Sequence, residues 1–372
     1  MTKTAEKNTW VVKIGSAMIT NDGQGVDEGR IYHWCQQIKA LQDQGIDVVV
    51  VSSGAVAEGM KLLNWQERPQ FLNELQAAAS VGQSALVNAW TKGFLPFGIN
   101  VGQILLTHED ASDRQRYLNI KNTINTLLTY KAVPIINEND TISFSEIKFG
   151  DNDTLGALVA SLIEADTYVI LTDQEGVFES DPRKNPDAKM IHEADAHDER
   201  LLGMVTSEGG RFGTGGMYTK IMASHIAATS GTTTYIVKGS RDNALLDIAN
   251  GIQVGTKLNA DGSRITAKKR WILGQKQIKG QITIDDGAVK ALLEDGKSLL
   301  PIGVIAVEGA FDRGDIIVCL DKAGNEIGRG LTNYHALEVE SILQTSSHQI
   351  ADKLGYIIAD ELIHRNNWVE TQ

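Results

Sequence analysis

Residues Asp47 to Ser52 read DVVVVS, a β-branched run with no polar alternation, the kind that a sheet buries on both faces. Comparable short apolar runs stand at Trp10 to Ile14, Gln103 to Leu106, Val133 to Ile136, Tyr168 to Leu171 and Thr234 to Val237. Helical stretches lie between them. Ile31, Trp34, Ile38 and Leu41 recur at helical spacing until Gly45, and Leu75 to Trp90, Tyr117 to Thr129, Thr154 to Glu164 and Thr219 to Thr229 follow. Strand and helix in alternation predict an α/β fold, a mostly parallel sheet sandwiched by helices. Ligands in such folds bind beyond the carboxyl ends of the strands.

The rhythm changes near residue 260, where NADGSRITAKKR is polar and turn-rich and reads as a linker. Beyond Trp271 come short strands, Gln281 to Ile284, Val304 to Val307 and Ile316 to Cys319, with turn signals at Asp285-Asp286-Gly287 and Ala323-Gly324-Asn325. These predict a small β-rich barrel or sandwich. With 372 residues, two domains are expected, 8–260 and 268–372. The net charge of -12 opposes broad binding to a phosphate backbone. Residues 268–372 hold 12 Lys+Arg against 15 Asp+Glu, with no basic stripe, so their charge gives RNA little reason to bind. Cys35 and Cys319 are the only cysteines, which suits a reducing cytoplasm. No apolar run reaches the ~18 residues of a membrane span, and no signal core opens the chain. A soluble, cytoplasmic protein is expected.

Glycines punctuate the strand ends. Lys13-Ile14-Gly15-Ser16 and Ser52-Ser53-Gly54-Ala55 close the first two strands, and Gly213-Thr-Gly-Gly-Met-Tyr-Thr-Lys220 precedes a helix. One such turn is ordinary; three, two of them with a lysine, point to phosphate binding. A P-loop is excluded because Ala291 stands where the glycine preceding Gly296-Lys297-Ser298 is required. A dinucleotide fingerprint fails at Tyr218. The densest polar cluster joins Asn137-Glu138-Asn139-Asp140 to Gly150-Asp151-Asn152-Asp153. Helix capping explains one or two of these residues, not both runs. The cluster suits a cationic amino group, with amides fixing a carboxylate; calcium is a second reading, although the spacing is not that of an EF-hand. Thr172-Asp173 falls where a nucleotide or metal contact is expected, and no Cys/His spacing suggests zinc.

The segments VVKIGS, VVSSGAVAEG, INEND, KFGDNDTL, LTDQEGVF, DPRKNP and GTGGMYTK, in this order, resemble the bacterial glutamate 5-kinases of the amino-acid kinase family, from about Trp10 to Leu258. The tail, from KKRWILG through LLEDGKSLLPIGV, FDRGDIIV and AGNEIGRG, resembles a PUA domain, a small β-barrel best known from RNA-modifying enzymes. The resemblance implies the amino-acid kinase fold over 8–260 and a PUA-like domain over 268–372. It implies ATP-dependent phosphorylation of the L-glutamate side-chain carboxylate to L-glutamyl 5-phosphate, the first step of proline biosynthesis. It also implies ATP and Mg²⁺, the metal carried by ATP and not by protein ligands, together with proline as feedback inhibitor and a homo-oligomer. Carried over residue by residue, Lys13 and Lys220 are catalytic and Asp153 orients them. Ser53, Gly54, Asn137, Asp140, Asp151 and Asn152 hold glutamate. Lys13, Gly15, Ser16, Thr172, Asp173, Thr214, Gly215, Gly216, Met217, Tyr218, Thr219 and Lys220 hold ATP, with Gly15 and Gly54 offering backbone N–H groups. Ala17 stands where the family often has a hydroxyl, and Tyr218 is bulkier than the usual residue there. An acetylglutamate-type kinase is disfavoured by Asp140 and Asp151, because an acetylated amine brings no charge to pair with carboxylates.

Overall fold

In the computed structural model, which describes residues 8–20, 25–107, 110, 114–142, 152–206, 216–260 and 278–371, the β-branched runs form the middle of one eight-stranded sheet. Its strands are β1 (Asn8–Ile14), β2 (Ile46–Ser52), β3 (Val101–Leu106), β4 (Val133–Glu138), β5 (Thr167–Thr172), β8 (Glu193–Asp195), β9 (Thr233–Lys238) and β10 (Thr256–Asn259). The spatial order is β3-β4-β2-β1-β5-β9-β10-β8. From β3 to β9 every pairing is parallel, and β10 runs antiparallel to β9. β2, β4 and β5 are buried along their whole length, as their unbroken apolar character predicts. Between β5 and β8 lies a small antiparallel pair, β6 (Val177–Phe178) and β7 (Met190–Ile191).

The helices of this sheet are α1 (Ser16–Ile19), α2 (Glu28–Asp43), α3 (Ala55–Leu62), α4 (Leu72–Phe94), α5 (Arg114–Thr129), α6 (Asn152–Ile163), α7 (Glu199–Thr206), α8 (Met217–Thr229) and α9 (Ala244–Ala249). β1 lies between β2 and β5, so the chain builds outward on one side of it and then on the other. Ligands of open α/β sheets bind at such a reversal, here beyond the carboxyl ends of β1, β2 and β5.

The chain divides into two compact units, Met1–Ser112 with Asn119–Asp261, and Asp113–Leu118 with Gly262–Gln372. The second carries a five-stranded mixed sheet of β11 (Gly280–Ile284), β12 (Val304–Gly309), β13 (Ile316–Leu320), β14 (Glu326–Leu331) and β15 (Trp368–Glu370), in the order β12-β11-β13-β14-β15. It has its own core of Ile282, Ile284, Ile317, Cys319, Tyr334 and Trp368. Asp285-Asp286-Gly287, expected as a turn, instead starts a helix, α10 (Asp286–Leu293). The Asp285 carboxylate accepts from the Ala288 amide at 2.7 Å, and an aspartate that caps a helix looks in sequence like one that opens a turn. The expected linker lies outside the described residues from 261 onward. Among the described residues no helix is long and apolar enough to cross a membrane.

Candidate active site

β2 runs into the site through Ser52-Ser53-Gly54. Gly54 adopts φ +106, a left-handed conformation that glycine takes without strain, and α3 starts at the next residue. α3 and α4 touch backbone to backbone: a methyl group on Gly82 would lie 1.9 Å from the Ala55 carbonyl oxygen, and one on Gly59 1.7 Å from that of Ala78. This close approach is why α4 can bring large side chains to the end of β2. Trp90, stacked between Trp34 and Phe94, donates its indole N–H to the Ser52 hydroxyl at 3.0 Å and fixes the strand end just before Ser53.

The centre of the site is a buried ionic trio from three elements. Lys13 of β1 lies 2.6 Å from one carboxylate oxygen of Asp153, in the first turn of α6, and Lys220 of α8 lies 3.1 Å from the other. Their exposures are 5%, 1% and 3%. The Thr219 hydroxyl donates to the same Asp153 oxygen as Lys220, at 2.8 Å, and the buried Tyr168 phenol donates to the Asp153 backbone carbonyl at 2.7 Å. Burial would push the Asp153 carboxyl up; the Lys13 and Lys220 ammoniums and the bonds from Lys13 and Thr219 outweigh it and hold the group down at about 2. Burial pushes the Lys220 ammonium below its ordinary value; Asp153 opposes that shift and Lys13 adds to it. Two cations and one anion leave the trio with an excess positive charge. A protein core gains nothing from such an excess; an arriving anion neutralises it.

Beside the trio runs a chain of side-chain amides. Asn152 donates to the Ser53 hydroxyl at 2.8 Å and to the Asn137 carbonyl oxygen at 3.0 Å. Asn137 in turn donates to the Gln83 carbonyl oxygen at 2.7 Å. Asp140, half-buried, follows Asn137 on the turn after β4.

The structure thus brings Lys13, Lys220 and Asp153 into direct contact, and joins Ser53, Asn137 and Asn152 through hydrogen bonds. Thr172 and Asp173 sit together at the end of β5, the threonine hydroxyl donating to the Asp173 carboxylate at 3.0 Å. Asp173 faces the trio closely enough to favour the charged form of Lys220. Gly216, Met217, Tyr218 and Thr219 form the first turn of α8 and the residue before it, with Gly216 and Tyr218 exposed. Two of these placements differ from the expected roles. The Gly15 amide already donates to the Leu171 carbonyl at 3.2 Å, so at that turn the helical amides with no backbone partner among the described residues are those of Ser16 and Ala17, in the first turn of α1. Thr219 has its hydroxyl on Asp153, where it supports the trio. Asp151, Thr214 and Gly215 lie outside the described residues. Gln83, Trp90 and Tyr168 were not singled out in the sequence. Gln83 had a visible signal, since it is a polar residue on the buried face of α4 that includes Ala79, Leu86 and Trp90.

The amino acid kinase family profile matches residues 8–238, and the PUA domain profile matches residues 280–354. A glutamate 5-kinase of Pseudomonas paraeruginosa is 52% identical over 360 residues, covering 97% of each chain. One from Chromobacterium violaceum is 51% identical over 359 residues, covering 96% of each. Among solved structures, carbamate kinase from Giardia lamblia bound to AMP-PNP superposes with a TM-score of 0.51 at 20% identity, covering 69% of this chain and 99% of that one. That likeness concerns the fold alone.

Proposed function

The chain belongs to the amino acid kinase family, and from that premise we propose how the trio and the amide chain divide its reaction between them. The reaction is ATP-dependent phosphorylation of the L-glutamate side-chain carboxylate to L-glutamyl 5-phosphate, which opens proline biosynthesis. A carboxylate nucleophile is ionised at neutral pH, so no general base is needed. The obstacle is repulsion between anions, roughly 4 kcal/mol for each pair of unit charges about 4 Å apart at an effective dielectric near 20. The buried trio, with its excess positive charge, is the observation that carries the mechanism.

Lys13 and Lys220 flank the phosphoryl group as it moves. A glutamate carboxylate oxygen forms the new bond to the γ-phosphorus while the bond to the bridging β,γ-oxygen breaks, and ADP leaves with that electron pair. Both lysines neutralise charge that spreads over the phosphoryl oxygens. Asp153 stays ionised and holds the two ammoniums at fixed positions, with Thr219 and Tyr168 holding Asp153. Thr172, Asp173, Ser16 and the turn from Thr214 to Lys220 take ATP, and Mg²⁺ arrives on its phosphates. Ser53, Gly54, Asn137, Asp140, Asp151 and Asn152 take glutamate, the carboxylates pairing with its ammonium. Every residue given a role precedes residue 260, so catalysis belongs to 8–260 and a regulatory part to 268–372. Cytoplasmic location, feedback by proline and a homo-oligomer rest on the family resemblance.

An ATP-dependent hydroxamate assay tests the substrate assignment. Glutamate is expected to be turned over and acetylglutamate not, because acetylation removes the positive charge that Asp140 and Asp151 meet. Asp140→Ala should raise the glutamate KM by about tenfold or more, the scale of a lost charge-assisted contact, and leave the ATP KM near its original value. Comparable turnover of both amino acids would defeat the assignment. A chain ended near Lys268 should remain active in the same assay.

A further inference from the structure

We infer that Gln83 is a positioning residue for the glutamate site, setting which atom Asn152 presents to the substrate. This rests on the assignment of Asn137 and Asn152 to glutamate. Asn152 has two amide hydrogens, and both are taken, by the Ser53 hydroxyl at 2.8 Å and the Asn137 carbonyl oxygen at 3.0 Å. Its remaining polar atom is Oδ1, an acceptor, which suits an ammonium and not a carboxylate. Asn152 therefore joins the acidic residues at the amino end of glutamate. What keeps it in that orientation is the direction of the whole chain. Asn137 accepts from Asn152 because its own amide hydrogen points to the Gln83 Oε1 at 2.7 Å. An acceptor at position 83 makes Asn137 present its oxygen to Asn152, which then donates its hydrogens inward.

A second observation separates this role from ordinary packing. Gln83 is 8% exposed, and its Nε2 is buried with no hydrogen-bond partner among the described residues. A buried amide donor left unsatisfied costs about 1–3 kcal/mol. An apolar side chain would avoid that cost but would leave the Asn137 amide, 2% exposed, without its acceptor, so the two costs offset and stability alone does not account for the glutamine. Its carbonyl oxygen does.

The test compares Gln83→Met and Gln83→Glu with the wild-type enzyme, using steady-state kinetics and thermal melting, with Asp140→Ala as a reference. Methionine fills the space but offers no such acceptor. It is expected to raise the glutamate KM about tenfold, to leave kcat within about threefold and the ATP KM within about twofold, and to leave Tm near the wild-type value, because the relieved Gln83 donor offsets the orphaned Asn137 donor. Glutamate at position 83 keeps an acceptor oxygen at the same reach and is expected to recover most of the lost affinity, even with a lower Tm. If Gln83→Met lowers Tm by several degrees but keeps the glutamate KM, Gln83 is a core residue and the inference is wrong. It is equally wrong if Gln83→Glu binds glutamate no better than Gln83→Met. Asp140→Ala separates the two levels: a raised glutamate KM there with none in Gln83→Met overturns only the role of Gln83. An unmoved KM in both overturns the site assignment as well.

Discussion

Asp153→Asn is expected to remove activity and to destabilise the fold by about 3–5 kcal/mol, the scale of breaking a buried ion pair by deleting one partner. The asparagine fills the same space, but it leaves two buried ammoniums facing each other with no anion between them. Acid should reveal the same group in the wild-type protein. The carboxyl titrates at about 2 in the fold, below its ordinary value of 3.8. A group with a lowered folded value stabilises the fold at pH above its ordinary range, and that contribution is lost as pH falls from about 4 to about 2. The loss is about 2 kcal/mol by linkage. Urea unfolding at a series of pH values measures both effects. The wild-type curve should fall through this window, and the part of the fall due to Asp153 should be missing from the variant. A variant as stable as the wild type would mean that the trio is not the electrostatic unit described.

Lys220→Met should give the opposite effect on stability with a comparable loss of function. It leaves Lys13 and Asp153 as a neutral pair 2.6 Å apart, with Thr219 still bound to the carboxylate. The Lys220 ammonium is titrated below its ordinary value, mainly by burial, so it supports the fold only at pH above that value. Below that value the charged form is less favourable in the fold than in the unfolded chain, so the ammonium costs stability wherever it is charged. Its removal is therefore expected to leave Tm unchanged or raised. kcat should fall about 10³-fold, because one of two cations on the moving phosphoryl group is gone. Melting and turnover of the same preparation decide it. Unchanged kcat would place phosphoryl transfer elsewhere, and a large fall in Tm would make Lys220 a structural residue.

The central sheet was legible because Asp47 to Ser52 and its fellow runs carry their burial in their composition, and β1, β2, β4, β5 and β9 appear where those runs stand. Short elements were not. β8, β10 and β15, of three or four residues, have too few positions to show a period and exist through their neighbours' hydrogen bonds. α3 was hidden for a related reason: the Ser53-Gly54 turn marks its start, but Gly59 interrupts its helical composition for the sake of contact with α4. Within the site, the glycine turn closing β1 announced Lys13, the polar run opening α6 announced Asp153, and the end of β5 announced Asp173. The supporting residues Tyr168, Trp90 and Gln83, bonded to Asp153, Ser52 and Asn137, look like core residues in sequence, since what distinguishes them is one hydrogen bond across 15 to 54 positions of chain. The family resemblance assigned Thr219 to ATP along with the rest of its glycine-rich turn. Its bond to Asp153 bridges 66 residues, a distance that no local motif encodes.

The nucleophile is the most direct point of test. Glutamate labelled with ¹⁸O in its side-chain carboxylate is incubated with enzyme, Mg²⁺ and ATP, and the product is left to react internally, its amine attacking the acyl carbon and expelling phosphate. Because the carboxylate oxygen is the one that joins phosphorus, each glutamate-dependent phosphate should carry one ¹⁸O, read as a shifted ³¹P resonance. Glutamate-dependent phosphate carrying no ¹⁸O, its fourth oxygen taken from water, would mean that water attacks ATP and that the buried trio does not serve transfer to a carboxylate.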